Sequence, residues 1–309
     1  MNTKQLIAGI IGALMLFCTS AVADYSGDQP LTKYERGMTH GDLVYVAAPP
    51  DGSCYTSLDA GDIMTQVLDI SAEIPDGATI KTARLYNYVT WSTSGDPAEA
   101  ILTFNGVDVT CQNTATSTNF IDYGNGVVQY WDTKGLAPSN YPSGTFAWDV
   151  TSLVVDGLNT AIIANADSTS PCNEFVTYGF GLLVVYDEKP PTTTPPTMHR
   201  YWILEGADML YGDSSSVATT SGSFEKVVPN YNGVNSAELT TVVVSCDSGS
   251  NSVFFNGNDL GPLGTVSIEA IGVDTFDVTP DLLKSGNIVE IQDSGDYMVA
   301  SNAFLVVDY

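Results

Sequence analysis

Hydrophobic and polar residues alternate with a period of two through much of the chain, and turns rich in glycine, asparagine and aspartate separate the alternating runs. This pattern is typical of strands that bury one face of a sheet. It predicts strands at residues 43–46, 83–90, 100–104, 127–130, 175–186 and 239–245. Because no segment shows the longer period of an amphipathic helix, the predicted fold class is all-β.

One pattern occurs twice. FAWDVTSLVVDGLN at residues 146–159 returns in shorter form as FDVTPDLLKSGN at residues 276–287. In both, an alternating strand leads to Asp-Val-Thr, which can cap a short turn, and a glycine ends the turn before the next strand. Flanking pieces recur in the same order, at residues 83–86 and 237–240 and at residues 104–106 and 255–257. The sequence therefore predicts an internal duplication.

The order of strand, capped turn, glycine and strand is similar to the corners of jelly-roll domains at the level of fold. We predict two tandem jelly-roll-like β-sandwich domains, residues 24–188 and 198–309, related by internal duplication. KPPTTTPPT at residues 189–197 predicts a Pro/Thr-rich linker, with an ordered strap against one domain as the alternative. Domain one carries a loop-rich insert at about residues 110–141 that the second copy lacks.

The first residues have the pattern of a signal peptide. Lys4 precedes an apolar run at residues 6–17, and Ala-Val-Ala at residues 21–23 is a small-residue cleavage site. A retained membrane anchor is the weaker alternative, since the run is shorter than the about 20 residues of a spanning helix. We therefore expect a secreted protein at the cell surface, with no membrane span in the mature chain.

The charge balance is strongly acidic. Asp and Glu number 36 against 10 Lys and Arg, for a formal charge of −26. Such a surface repels phosphates, so nucleic acid and anionic lipid are unfavourable partners. Solubility in the cell exterior explains the acidity most simply, and divalent cations that bridge neighbouring subunits are the alternative.

Four cysteines remain after the signal peptide, and in an exported protein they are disulfide candidates: Cys54, Cys111, Cys172 and Cys246. Three precede the predicted linker and one follows it, so one bond would join the domains or two molecules. We favour Cys111 with Cys172 and leave Cys54 and Cys246 for the crosslink. A metal site is the rival interpretation, but no CxxC or Cys/His spacing supports it.

The sequence offers little catalytic chemistry. His40 and His199 lie in no recognisable Ser/His/Asp or zinc-binding arrangement, and we expect both to be ordinary loop residues. A glycosidase pair of carboxylates stays open because such acids meet in space and not in sequence. We expect no enzyme activity.

Acidic turns offer oxygen atoms that calcium accepts, at Asp247, Asn251, Asp293 and Asp296. None has the spacing of a calcium loop, and Asp, Asn and Gly also make ordinary hairpin turns. We therefore expect no cofactor, with calcium as the possible exception.

Aromatic residues suggest either packing or sugar stacking. Tyr86 and Tyr88 alternate on one strand, where packing between two sheets is the commoner use. Tyr123, Tyr130 and Trp131 lie in the insert and are our candidates for ligand binding, because loops on a rigid sandwich commonly carry function.

GFGLLVVYDE at residues 179–188, followed by YWILEGADMLY at residues 201–211, resembles an uncharacterised domain family of secreted surface proteins in methanogenic archaea. ARLY at residues 83–86 and the two Asp-Val-Thr elements are also similar to that family. The resemblance implies an exported, β-rich protein of the cell envelope, and it implies no activity or ligand.

Two functions compete. One is a structural subunit of a sheath, surface layer or filament, which assembles with itself into a homo-oligomer or polymer through sheet edges and possibly disulfides. The alternative is a secreted carbohydrate-binding or adhesion module whose partner is envelope polysaccharide.

Overall fold

The structure is a computed structural model. It describes residues 25–27, 29–50, 55–91, 100–109, 120–124, 127–132, 142–166, 174–188, 197–212, 217–228, 230–245, 251–263, 271–295 and 297–309.

The described chain consists of strands, turns and two short 3-10 helices, Tyr231–Gly233 and Thr279–Asp281. In chain order the strands are β1 Tyr25–Ser26, β2 Thr32–Thr39, β3 Leu43–Ala48, β4 Thr56–Leu58, β5 Ile63–Asp69, β6 Thr79–Thr90, β7 Ala100–Phe104, β8 Val107–Asp108, β9 Phe120–Gly124, β10 Val127–Asp132, β11 Ser143–Asp149, β12 Leu158–Asn165, β13 Phe175–Asp187, β14 His199–Tyr211, β15 Ala218–Val227, β16 Ser236–Val244, β17 Asn251–Phe255, β18 Asn258–Pro262, β19 Ile271–Asp277, β20 Ser285–Asp293 and β21 Tyr297–Asp308. The predicted all-β class is confirmed, and each predicted run lies in a strand or ends one residue beyond it.

The strands form four antiparallel sheets. Inner sheet 1 has the order β3-β13-β6-β11-β10-β9, with β4 also on β13, and outer sheet 1 has the order β5-β12-β7-β8. Inner sheet 2 has the order β1-β14-β21-β16-β19, with β2 also on β14, and outer sheet 2 has the order β15-β20-β17-β18. The central strands of the two halves therefore follow the same order.

Three apolar layers hold these sheets together. One core lies between outer and inner sheet 1, around Leu85, Phe104 and Trp148. A second lies between inner and outer sheet 2, around Leu239 and Phe255. A third joins inner sheet 1 to inner sheet 2 and contains Tyr86, Tyr88, Ile203 and Phe304. The four sheets therefore stack as outer 1, inner 1, inner 2, outer 2, and the expected packing role of Tyr86 and Tyr88 is confirmed.

Each half builds the same hydrogen-bonded corner around a buried asparagine. The side chain of Asn159 accepts from the Val155 amide and donates to the Val155 carbonyl, and Asn105 Nδ2 donates to its Oδ1 at 2.8 Å. The second half repeats these bonds with Asn287, Leu283 and Asn256. Duplication itself stays a prediction, which this repetition favours.

The Asp-Val-Thr elements act as the sequence predicts. Asp149 accepts a hydrogen bond from the Thr151 amide, and the Thr151 hydroxyl accepts from the amide of Ala83 on the neighbouring strand. Asp277 and Thr279 make the equivalent bonds. Gly157 has a φ of 95°, which only glycine adopts without strain.

The first strands of the chain belong to the other half. β1 and β2 lie in the segment assigned to domain one, yet both pair with β14 in inner sheet 2. The two halves therefore share a sheet as well as a packed face. Residues 189–196 of the predicted linker lie outside the described residues, so the linker and the division into two domains stay predictions.

The insert contributes strands as well as loops. Within residues 110–141, β9 and β10 form a hairpin that extends inner sheet 1 from β11. Because inner sheet 1 has a core on each of its faces, the side chains of β10 point into these two cores.

Candidate functional site

The structure corrects the binding role predicted for two aromatic residues of the insert. Tyr130 is 5% exposed and Trp131 is fully buried in the core of the first half. They are buried because β10 is an integral strand of inner sheet 1, so its two faces look into two cores. Tyr123 lies on β9, and its side chain is outside the described part of the chain.

The cysteine and calcium candidates are only partly described. Cys54, Cys111, Cys172, Cys246, Asp247 and Asp296 all lie outside the described residues. Asn251 and Asp293 are buried and stand directly opposite each other on β17 and β20. The Asp293 carboxylate accepts from the amides of Gly212, at 2.6 Å, and Gly295. These bonds give Asp293 a structural role at the strand end, and calcium binding stays a prediction.

A buried ion pair joins the two inner sheets. Arg84 on β6 donates from Nε and Nη2 to the two carboxylate oxygens of Glu205 on β14, both at 2.9 Å. Both side chains have no exposure to solvent. Tyr86 donates to one carboxylate oxygen at 2.8 Å and Tyr130 to the other at 2.9 Å. We call these four residues the inter-sheet clamp.

The electrostatics of the clamp explain how Arg84 and Glu205 stay charged although both side chains are buried. Burial lowers the pKa of Arg84, but the charge and hydrogen bonds of Glu205 outweigh it and hold the pKa above its ordinary value. Burial, followed by the Glu205 charge, raises the pKa of Tyr86 and Tyr130, so both hydroxyls stay protonated donors. The ring of Tyr34 lies 4.0 Å from the guanidinium carbon of Arg84. The clamp therefore pairs both of its buried charges and holds inner sheet 1 in place on inner sheet 2.

A second polar link lies beside the clamp. The Tyr45 and Tyr88 hydroxyls are 2.7 Å apart, and Tyr88 donates to the side-chain oxygen of Asn302 at 2.8 Å. Tyr88 lies on inner sheet 1 and Asn302 on inner sheet 2, so this chain of bonds also crosses the stack. Together with the clamp it fixes the register of one inner sheet on the other.

The candidate site is a cleft of about 200 Å³ at the margin of this stack, where the turn before β3 meets the ends of inner sheet 2. Its lining consists of four carboxylates, one imidazole, one hydroxyl and an apolar floor: Asp42, Glu238, Asp277, Asp308, His199, Ser236, Leu43, Ala237 and Val306. The strands hold these side chains in register because Asp308 pairs with both His199 and Ser236 across the ladder, and Glu238 pairs with Asp277.

Asp308 links two neighbours inside the cleft. One of its carboxylate oxygens lies 2.6 Å from His199 Nδ1, and the other accepts from the Ser236 hydroxyl. His199 is therefore an ion-paired strand residue, which corrects its expected role as an ordinary loop residue. A nucleophilic triad needs the imidazole between the serine and the acid. Here the carboxylate stands between the other two, so this trio is not arranged for serine activation.

The cleft shifts its titrating groups in opposite directions. The hydrogen bond to Asp308 raises the pKa of His199, and the same bond lowers the pKa of Asp308. Burial raises the pKa of Asp42, and burial together with the nearby carboxylates raises the pKa of Glu238. The cleft therefore combines an imidazole whose pKa is raised by its ion pair with two carboxylates whose pKa is raised by burial.

Sequence reasoning did not find either arrangement. The cleft gathers residues from five strands and from the turn before β3, so no local spacing reveals it. The clamp left a signal, since Arg84 and Glu205 both stand beside apolar neighbours within strands, and buried charges are normally paired.

Among the described residues, no group of three or more His, Cys, Asp or Glu side chains is arranged to hold a metal ion. Nor is any helix in the described ranges long and apolar enough to cross a bilayer.

Comparison with known proteins gives a family and distant structural neighbours. A family described as "Protein of unknown function (DUF3344)" matches residues 24–308. This agrees with the expected uncharacterised domain family, while its association with methanogenic archaea stays an expectation. No curated protein matches the chain.

Several solved structures align at 9–13% identity. The tandem CBM51 modules of a family 98 glycoside hydrolase from Streptococcus pneumoniae align over 91% of this chain and 99% of theirs, with a TM-score of 0.23 and 9% identity. A Streptomyces avermitilis α-L-rhamnosidase aligns over 93% of this chain but only 28% of its own, with a TM-score of 0.22 and 13% identity. The ANX2 ectodomain from Arabidopsis thaliana aligns over 91% and 97%, with a TM-score of 0.23 and 9% identity. These values are too low to transfer a function.

Proposed function

The chain belongs to this family of unknown function, and we propose that it is an exported β-sandwich protein that binds carbohydrate at the outer cell surface without chemical turnover. The observation that carries the proposal is the cleft described above, with its four carboxylates, its imidazole and its apolar floor. At about 200 Å³ it is smaller than the roughly 300–1,000 Å³ of typical drug-sized sites, so it suits one small group such as a single sugar unit.

The chemistry of the lining suits a ligand with several hydroxyl groups. Carboxylate oxygens accept hydrogen bonds and an imidazole N–H donates one, so hydroxyls that donate and accept can satisfy both. Leu43 and Val306 offer apolar contact for the carbon face of a ring.

The arrangement is also costly to the fold. Glu238 and Asp277 stand directly opposite each other on neighbouring strands, and like charges at such positions are destabilising. The residue that corresponds to Glu238 in the first half is Arg84, which serves the clamp instead. In the second half two carboxylates face each other at this position, whereas in the first half Arg84 faces Asp149. Ligand binding explains the destabilising pair of carboxylates better than folding does.

The bonding of Asp308 favours binding without turnover. The carboxylate oxygens of Asp308 are bonded to His199 and Ser236, which leaves this acid badly placed to act as a nucleophile.

A glycan array followed by calorimetry tests the proposal, with Glu238→Gln as the test variant. This change keeps the side-chain shape and removes one charge from the cleft, and we expect at least a tenfold weaker affinity. Glu290→Gln is the matched control, because Glu290 lies on outer sheet 2 and outside the cleft lining. Equal losses in both variants, or an array without any binding, would refute carbohydrate binding at this cleft.

A structural subunit of the envelope is the second candidate, favoured by the clamp, which gives the four-sheet stack a fixed internal register. Its test is electrophoresis of the mature protein without reductant, beside Cys54→Ser and Cys246→Ser. Covalent oligomers that either substitution abolishes would support assembly through disulfides. Monomers under all conditions would count against it.

A further inference from the structure

The cleft and the inter-sheet clamp use corresponding positions of the two halves. Arg84 on β6 and Glu238 on β16 occupy matching strands in the repeated sheet order. Arg84 shares a face of its strand with Tyr86, and Glu238 shares a face with Val242. Both of these neighbours belong to the core between the inner sheets. The two positions therefore look into the same layer and can be compared directly.

In the first half, this position supplies a cation. Arg84 faces Asp149 on the neighbouring strand. Its guanidinium bonds both carboxylate oxygens of Glu205, each at 2.9 Å. The first half thus carries its own positive charge among the acids that surround this row.

In the second half, the same position supplies an acid. Glu238 faces Asp277 on the neighbouring strand, and Asp42 and Asp308 complete the group of carboxylates that lines the cleft. The Glu238 side chain is exposed toward the cleft. The second half therefore places a carboxylate where the first half has a guanidinium.

The lining does not supply the missing positive charge. It contains no lysine or arginine, and its imidazole, His199, is engaged by Asp308 at 2.6 Å. Burial, followed by the charges of Asp42, Asp308 and Asp277, raises the pKa of Glu238. The bonds of Asp308 to His199 and Ser236 do not involve Glu238. A ligand that brings a cation would relieve this repulsion.

An organic cation suits the arrangement better than a metal ion. Among the described residues, no three His, Cys, Asp or Glu side chains are arranged to hold a metal. Calcium takes about six to eight oxygen ligands at short distances around one point. An ammonium group has three N–H donors and can use acceptors that are spread along the walls of a cleft.

We propose that the ligand of the cleft is a sugar unit with a free amino group, whose ammonium lies beside Glu238 and Asp277. This inference rests on the proposed function, because it names the class of sugar that the cleft takes. The ammonium supplies the positive charge that Arg84 supplies in the first half. The hydroxyl groups and the carbon face of the ring are left for the other polar groups of the lining and for its apolar floor.

Titration of the mature protein, followed by ligand-observed nuclear magnetic resonance, tests the proposal. The probes are glucosamine and galactosamine, each beside its N-acetyl derivative and the parent neutral sugar. The free amines should bind about tenfold more tightly, since several partly exposed charge pairs each contribute modestly. Affinity for the amines should fall as salt increases, whereas affinity for the neutral sugars should not.

Glu238→Gln should remove the preference for the amines and leave the weaker binding of the N-acetyl sugars nearly unchanged. Glu290→Gln, on outer sheet 2 and outside the cleft lining, is the matched control and should keep the preference. This comparison separates the local charge of the cleft from the general attraction of an acidic protein for cations.

A substitution that needs no ligand tests the same reasoning. Glu238→Lys places an ammonium opposite Asp277 and should raise the midpoint of thermal unfolding by about 2 °C or more over that of Glu290→Lys. Both variants change the net charge equally, so general relief of repulsion is the same in each. Glu238→Lys should also lose the preference for the free amines.

The outcomes distinguish this inference from the proposed function. Equal affinity for free amines and N-acetyl sugars would overturn the inference and leave carbohydrate binding intact. A glycan array without binding, together with no binding of any of these sugars, would refute both. Lysine amide that binds as tightly as the amino sugars would overturn the inference in favour of a cationic side chain. Equal midpoints for Glu238→Lys and Glu290→Lys would also overturn it.

Discussion

The inter-sheet clamp allows a quantitative test of how the two halves are joined. Arg84→Met keeps an unbranched apolar stem but removes the guanidinium that bonds both oxygens of Glu205. The carboxylate then stays buried with two tyrosine hydroxyls and no counter-charge. Breaking one side of a buried pair typically costs about 3–5 kcal/mol, and we expect a loss of that size in the free energy of unfolding.

A double variant separates the two causes of that loss. Arg84→Met with Glu205→Gln removes both charges and leaves an amide oxygen that still accepts from Tyr86 or Tyr130. Because no charge is then buried alone, the double variant should be more stable than Arg84→Met by about 2 kcal/mol. Urea unfolding at pH 7, followed by fluorescence of the buried tryptophans, measures each midpoint and slope.

The surface pair of Lys33 and Glu225 provides the control. Its atoms are 2.8 Å apart, but the side chains are 32% and 59% exposed. Lys33→Met should cost less than about 1 kcal/mol, since solvent already screens this pair. If Arg84→Met cost no more than Lys33→Met, or if the double variant were the least stable protein, the reasoning about the clamp would be wrong.

Three further predictions follow from bonds described above. His199 has a raised pKa in the folded state, so its ion pair with Asp308 stabilises the fold fully below the unfolded pKa of about 6.5 and is lost as pH rises through the folded pKa. The stability of the wild type should therefore fall between pH 6 and 9, and that of His199→Asn should fall less. Thermal melts across this pH range measure the difference. Asn159→Ala and Asn287→Ala should each cost about 2 kcal/mol in urea unfolding, because each leaves several partly buried backbone groups without partners, whereas the exposed Asn258→Ala should cost less than about 0.5 kcal/mol. Gly157→Ala should cost at least about 1 kcal/mol by the same assay, since alanine is strained at a φ of 95°, and an unchanged midpoint would contradict this.

Local features of the fold could be predicted because their causes are local. The alternation at residues 83–90 and 175–186 gave strands, and Asp-Val-Thr gave the capped corner. Each depends on neighbouring residues and on backbone preferences that the sequence displays directly.

The candidate site depended on contacts that sequence does not display. The sequence predicts a loop-rich insert around Trp131, but β10 pairs with β11 and buries this side chain. Asp308 and His199 are more than a hundred residues apart in sequence, and they are neighbours only because β14 pairs with β21. Long-range register of this kind has no signal in local composition.

The position of β2 has a consequence for how the protein is made. This strand leaves the ribosome early, but its partner β14 is synthesised only after almost all of the first half. The earliest segment must wait, unpaired, for much of the chain to appear, and such distant contacts form slowly. Completion of inner sheet 2 therefore depends on the early strands β1 and β2, and a fragment that starts after β3 would lack both.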